Sequence, residues 1–227
     1  MKLTIFAPTG GVGRQLLAQA LDAGHDVTAV ARNPAKLPPG VLAARNASFV
    51  TSDLASPDLQ VLQAAVVGAD SVLSALGPHS NADAGIAAPG TRAIITAMQA
   101  AGVRRIVAIS ASPVSTTPSP GRPDPPRHDP GDGLIMRYVG VRIANTLFGK
   151  VYTDLARMED LLRESDLDWT ILRPPQLTNR PRTGRYRTAY GRNLRGGRSV
   201  SRADVAHCML AVVDQRQTIG QIIGIAS

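Results

Sequence analysis

The sequence predicts an α/β protein, a doubly wound parallel sheet with helices on both faces. Three observations carry the prediction. Strand-like and helix-like segments alternate from the first residues onward. The strand segments are apolar at nearly every position, as strands buried on both faces must be. A glycine-rich turn joins the first strand to the first helix.

The elements follow in order. "KLTIFA" is a strand, and "RQLLAQALDAG" has apolar residues at helical spacing and is closed by Gly24. "DVTAVAR" and "ASFVTSD" are the second and third strands. "DLQVLQAAVVGAD" is a helix leading into "SVLSAL", the fourth strand; "GTRAIITAMQAAGV" is a helix leading into "RRIVAIS", the fifth. A further helix, "YTDLARMEDLLRESDL", precedes "DWTILRPP", the sixth. "SRADVAHCMLAVVDQ" is a helix with Ser201 as N-cap and Asp204 at the capping-box position. Right-handed crossovers then place ligands beyond the carboxyl ends of the strands.

Two segments break this rhythm. The stretch 113–131 has seven prolines and no apolar period, so it reads as a flap over the ligand edge, functional or disordered. The stretch at about 175–200 is the substrate side; eight arginines lie between 179 and 202, with Tyr186 and Tyr190 among them. It is a solvated face, a wall of the substrate pocket or a surface for an acidic partner. One domain spanning 1–227 is expected, of ordinary size for a single core.

Composition narrows the function classes. The 44% hydrophobic content suits a globular core, and aromatic residues make up only 4%, so that core is aliphatic. The net charge of +8 is carried almost wholly by arginine, Lys2, Lys36 and Lys150 being the only lysines. An Arg-, Ala- and Pro-rich, lysine-poor composition also follows from GC-rich coding, so the charge is no signal for nucleic acid. No apolar run approaches the ~18 residues of a membrane span, and a cytoplasmic, soluble protein is expected. Cys208 stands alone in an apolar helical pattern, where a buried structural thiol fits. His25, His79, His128 and His207 lack metal-ligand spacing, and no metal is expected. His79 follows the fourth strand at the ligand edge, within reach of substrate or phosphate.

The turn "APTGGVGRQ" carries the chemistry. A phosphate-binding turn aims backbone N–H groups at a pyrophosphate, with a helix start behind them. Thr9, Gly10, Gly11, Val12 and Gly13 stand between strand and helix, where a Rossmann-like dinucleotide site requires them. Ala7 replaces the usual first glycine, harmlessly if its φ stays negative, and Pro8 removes one N–H from the cradle. The alternative is a tight turn that only closes strand on helix. At the end of the second strand an acidic residue would bind the ribose 2′-hydroxyl. Here Arg32 and Lys36 stand instead, two cations suited to the 2′-phosphate of NADP(H), the alternative being solvated charges after a strand. Arg14 is a secondary phosphate candidate. Asp53, with Leu54 beside it, closes the third strand, placed to meet the adenine amino group or to cap the following turn.

These motifs, together with Ala75-Leu76-Gly77, "AGVRRIVAIS" and "MEDLLRESDLDWTILRPPQLTNRPRTGRY", resemble in residues and order the atypical short-chain dehydrogenase/reductases. The likeness is nearest to the NADPH-dependent flavin reductase/biliverdin-IXβ reductase group and its NAD(P)H-binding, NmrA-like relatives. It implies that Leu76 and Gly77 line the nicotinamide ribose path. It also implies that Ser110, Ala111 and Ser112 stand beside the nicotinamide, and that Pro174, Pro175, Gln176 and Leu177 bracket the ring.

The departures are equally specific. The superfamily's Tyr-x-x-x-Lys pair is absent: Tyr138 is followed at that spacing by Arg142, Tyr152 by Ala156 and Tyr186 by Tyr190. Lys150 and Tyr152 are two apart and face different sides of a helix. The family's serine falls on Ala111 and the reductases' histidine on Gln176. A flavin or aromatic quinone delocalises added charge and is protonated from solvent, so losing an acid worth ~10²–10⁴-fold matters least for such acceptors. The expectation is therefore an NADPH-dependent reductase of a flat conjugated acceptor, with Ser112 as the candidate hydroxyl on the acceptor carbonyl. Two alternatives are a non-catalytic NAD(P)-sensing regulator, resembling nitrogen-metabolite repressors, and an isomerase or cyclase on the same fold. Trp169 is expected in the core.

Overall fold

The protein is described from a computed structural model covering residues 1–78, 80–131 and 141–227, with only the backbone of 141–147. All six expected strands form: β1 (Lys2–Phe6), β2 (Asp26–Ala31), β3 (Ala47–Thr51), β4 (Ser71–Ser74), β5 (Arg105–Ile109) and β6 (Asp168–Arg173). Four more follow: β7 (Gln176–Thr178), β8 (Arg187–Tyr190), β9 (Ser199–Ser201) and β10 (Gln221–Ala226). The main sheet has eight strands in the order β3-β2-β1-β4-β5-β6-β10-β8, parallel except where β8 runs against β10. β7 and β9 pair in parallel as a separate ribbon. The order reverses beside β1, which opens a crevice at the carboxyl ends of β1 and β4.

Alternation along the strands sends side chains to two cores. Leu3 and Ile5 of β1, Val107 and Ile109 of β5, and Ile223 and Ile225 of β10 face one side. They pack there under α1 (Gly11–Asp22) and α6 (Arg202–Val212). Phe6, Val72, Ile106 and Ile171 face the other, under α3 (Leu59–Val66) and α4 (Ala87–Ala101). The long helix α5 (Val141–Glu164) joins that second layer through Leu162. Burial on both faces explains the near-continuous apolar strands. Cys208 is buried in the first core, and burial pushes its thiol up to about 11, so it is a packing group. Trp169 packs, half-buried, against the second core.

The predicted caps form. Gly24 takes φ +77° after α1, and Ser201 Oγ accepts the Asp204 N–H at 2.9 Å. α4 is capped from outside. Its N-cap, Ile86, has no side-chain acceptor, so buried Asp154 of α5 supplies one. Asp154 accepts N–H groups from Gly85 and Ala87 on one oxygen, at 2.8 and 2.9 Å, and from Ala88 on the other at 3.0 Å. A carboxylate on a helix N-terminus satisfies open donors and opposes the helix dipole. It also fixes the loop that leads from β4 into α4.

The proline-rich flap is tied down through residue 131. Gly121 N–H donates to Asp160 of α5 at 2.9 Å, and Asp129 accepts N–H groups from Gly131 at 2.8 Å and from Asn193 at 2.9 Å. The flap and the arginine-rich segment therefore meet through Asp129. Replacing Asp154 with Ala strips two charge-assisted bonds from the start of α4 and a third from the loop before it. The expected loss is about 2 kcal/mol in urea denaturation, near the upper range for a lost cap.

Candidate active site

The turn after β1 sets the site. Gly10 N–H donates to the Ala7 carbonyl at 3.2 Å, and α1 begins at Gly11 with no side chain capping it. The first N–H groups of a helix have no acceptor within it, so α1 presents open donors and a partial positive charge to the crevice. Gly13 lets helix and turn touch: a Cβ there would stand 2.1 Å from the Ala7 oxygen. The condition under which alanine would be harmless here, a negative φ, is not met, because Ala7 sits at φ +58°. The chain must reverse at once for α1 to cross the turn so closely, and alanine bears the left-handed conformation at a cost of about 1–2 kcal/mol.

Around this turn lies a cleft of about 520 Å³. The structure brings Thr9, Gly10, Gly11, Val12, Arg32, Asp53, Leu54, Leu76, Gly77, Ser110 and Leu177 together on its walls. Arg32 is exposed on the rim at the end of β2. Lys36 is exposed on the short 3₁₀ turn Pro34–Lys36, outside the cleft wall, and Arg14 Nη2 reaches its carbonyl at 3.4 Å. Asp53 lines the cleft and also accepts the Ala55 N–H at 3.0 Å, so it caps its turn from within the site. Gly13 is buried behind the turn. His79 and Tyr138 lie outside the described residues.

In the far half of the cleft the wall supplied by α5 is apolar. α5 turns Val151 and Leu155 toward it, four residues apart on one helix face. Tyr152 packs instead with Val151, Leu155 and Val114 beneath that wall, its ring 6.3 Å from Phe148. Burial raises the Tyr152 phenol above its ordinary range, and it is no cleft residue. Ser112, Pro175 and Gln176 stand outside the cleft wall as well. Ser112 N–H donates to the Pro174 carbonyl at 2.9 Å, opening a 3₁₀ turn, and Gln176 is exposed at the start of β7.

Ser110 is differently placed. Its hydroxyl donates to Glu159 Oε1 at 2.7 Å, and Glu159 is wholly buried. Arg173 grips that carboxylate with Nε at 2.8 Å and Nη2 at 2.5 Å, and Arg163 Nη2 adds a bond of 2.5 Å. A hydroxyl has one proton. With it committed to Glu159, Ser110 Oγ offers the cleft only an acceptor.

Among the side chains of the site not singled out from sequence, three are charged groups on α5 and α6. Arg202 lines the cleft from the start of α6, while Glu159 and Asp154 brace it from α5. Glu159 and Asp154 show a recoverable signal, since acidic residues amid an apolar helix period need buried partners. Arg202 had none, being one arginine among eight.

A crevice at the topological switch point, a glycine turn and an uncapped helix start define a dinucleotide-binding, doubly wound α/β protein. The residues fit that group: among the described residues no side chain caps the N-terminus of α1, and the atoms nearest to a Cβ built on Gly11 belong to Arg202. The profile of the NAD(P)H-binding family matches residues 8–216, and the chain belongs to that family. A curated relative, UPF0659 protein C216.03 of Schizosaccharomyces pombe, is 27% identical over 97% of this chain and 89% of its own length. A short-chain dehydrogenase/reductase from Veillonella parvula superposes with TM-score 0.79 at 19% identity, over 100% of this chain and 94% of that one. That protein has also been solved in complex with NADP, with TM-score 0.78. ChuY, an anaerobilin reductase from Escherichia coli O157:H7, gives TM-score 0.74 at 23% identity, over 100% of this chain and 97% of its own. Among the described residues no helix is long and apolar enough to cross a membrane.

The strain at Ala7 yields a test. Ala7→Gly relieves the positive φ and is expected to stabilise the protein by about 1 kcal/mol, raising Tm in a thermal melt. An unchanged or lower Tm would show that the turn is not held in this conformation.

Proposed function

We propose that the protein is an NADPH-dependent reductase of a flat conjugated acceptor, a flavin or an aromatic quinone, acting in the cytoplasm. The single observation that carries the reading is the face α5 turns to the cleft. At the four-residue spacing where a Tyr/Lys acid pair would serve, this chain presents Val151 and Leu155. An apolar wall there suits a planar aromatic ligand and leaves an alkoxide-forming carbonyl reduction without its acid.

The coenzyme, when bound, supplies the hydride. What the protein contributes is binding, orientation and exclusion of water. Amides at the head of α1 hold the diphosphate, and Arg32, with Lys36 and Arg14 nearby, holds the 2′-phosphate. Leu76, Gly77 and Leu177 form the walls of the nicotinamide half. Ser110, with only acceptor capacity, takes an N–H such as that of the carboxamide. The flap at 113–131 and the segment at about 175–200 close a single domain over the acceptor. That the Veillonella protein was solved in complex with NADP and that ChuY is an anaerobilin reductase support this choice of coenzyme and of a reductase.

Two measurements check the reading. NADPH oxidation by purified protein, followed spectrophotometrically with a flavin and with menadione, is expected to exceed the uncatalysed rate. If NADPH binds but no flavin, quinone or carbonyl is reduced, the protein is a sensor. Arg32→Glu is expected to weaken NADPH about 10- to 100-fold, the equivalent of one or two charge-assisted bonds, and NADH by less than about threefold. Equal weakening of both coenzymes would remove the 2′-phosphate assignment.

A further inference from the structure

Arg202 lies across the head of α1. A Cβ built on Gly11 would stand 2.5 Å from Arg202 Nε and 2.7 Å from its Cδ, so the arginine fills the space a side chain at position 11 would take. Its Nη1 donates to the Leu177 carbonyl at 3.3 Å and to Asn179 Oδ1 at 2.8 Å. Among the described residues no carboxylate pairs with it, and Nε and Nη2 make no hydrogen bond. It shares the cleft wall with Thr9, Gly10 and Gly11. A guanidinium with open donors, facing an uncapped helix start, concentrates positive charge on one small volume.

We infer that Arg202 is a ligand of the coenzyme's diphosphate, closing from α6 a site whose other wall is the N-terminus of α1. The inference rests on the coenzyme reading above. Pro8 removes one backbone donor from the turn, and the guanidinium fork supplies charge and donors in its place. The same side chain reaches the substrate side through Leu177 and Asn179. Two residues on, Asp204 accepts N–H groups from Thr183 at 2.8 Å and Gly184 at 2.9 Å. The first turn of α6 thus holds residues 177–184, and a diphosphate on Arg202 restrains that rim as well. Coenzyme binding thereby sets the acceptor pocket.

The test compares two ligands on three proteins. NADPH carries the diphosphate; 2′-AMP carries adenosine and a 2′-phosphate without it. Arg202→Gln keeps a donor for the Leu177 carbonyl but no charge, and Arg202→Lys keeps the charge without the fork. By calorimetry, Arg202→Gln is expected to weaken NADPH about tenfold or more, and Arg202→Lys by less, with 2′-AMP within about twofold of the parent in both. Unchanged NADPH affinity overturns the inference, and so does equal weakening of both ligands, which would mean Arg202 acts only through the fold. A melting scan of each variant checks folding; if the Gln variant is unfolded, the Lys variant decides by the same comparison. Hydrogen exchange at 177–179 is expected to slow on adding NADPH to the parent but not to Arg202→Gln, and equal slowing overturns the coupling to the rim. A parent that binds NADPH while both variants match it removes this inference alone, whereas a parent that binds 2′-AMP but neither NADPH nor NADH removes the coenzyme reading as well. A parent that binds none of the three removes the coenzyme reading itself.

Discussion

The approach of α1 to the turn after β1 is the contact on which the site depends. Gly13 stands against the Ala7 carbonyl with no room for a Cβ, and Ala7 accepts a left-handed φ to let the chain reverse there. This crossing aims the open N–H groups of α1 into the crevice beside β4. Without it the helix would sit farther from the sheet edge, and its dipole would fall on solvent. The strain at Ala7 is stored at the candidate site, offset by the two packed cores beneath.

α5 provides the second constraint, by burying acids that serve other elements. Asp154 caps α4 and so shapes the loop from β4. Glu159 joins Ser110 at the end of β5 to Arg173 at the end of β6, and Asp160 holds the flap through Gly121. A buried ion pair is weak evidence for stability, since desolvation cancels much of its attraction. Here its effect on geometry is plain: it locks the ends of two strands and one hydroxyl against a single helix. From its described side chains, the helix that braces the site in this way offers the cleft Val151 and Leu155.

Polar contacts and apolar chemistry are thus divided across the crevice. The half under β1 and β2 is backbone N–H and exposed guanidinium, suited to phosphates. The half under β4, β5 and β6 is lined by Leu76, Ile109, Val151 and Leu155, suited to flat rings. Ser110 is a polar exception at their junction. Its proton is held on Glu159, so even this hydroxyl approaches a ligand as an acceptor.

The sequence by itself determined the alternation of strands and helices, because strands buried on both faces need unbroken apolar runs and the covering helices need a 3.6-residue period. It likewise determined the glycine turn and the cation at the end of β2, since both are local in the chain. The later strands were not legible. β7 and β9 are three residues long, too short to show a period, and β8 lies within an arginine run. β10 contains Gly224, whose position has a reason only once the Arg192 carbonyl is seen 2.3 Å from where its Cβ would stand. Tertiary structure alone decided that Ser110 meets Glu159, that Val151 rather than Tyr152 faces the cleft, and that Arg202 lies on Gly11. Each joins residues dozens of positions apart or turns on a helix's rotation, and neither separation nor rotation leaves a mark on local composition.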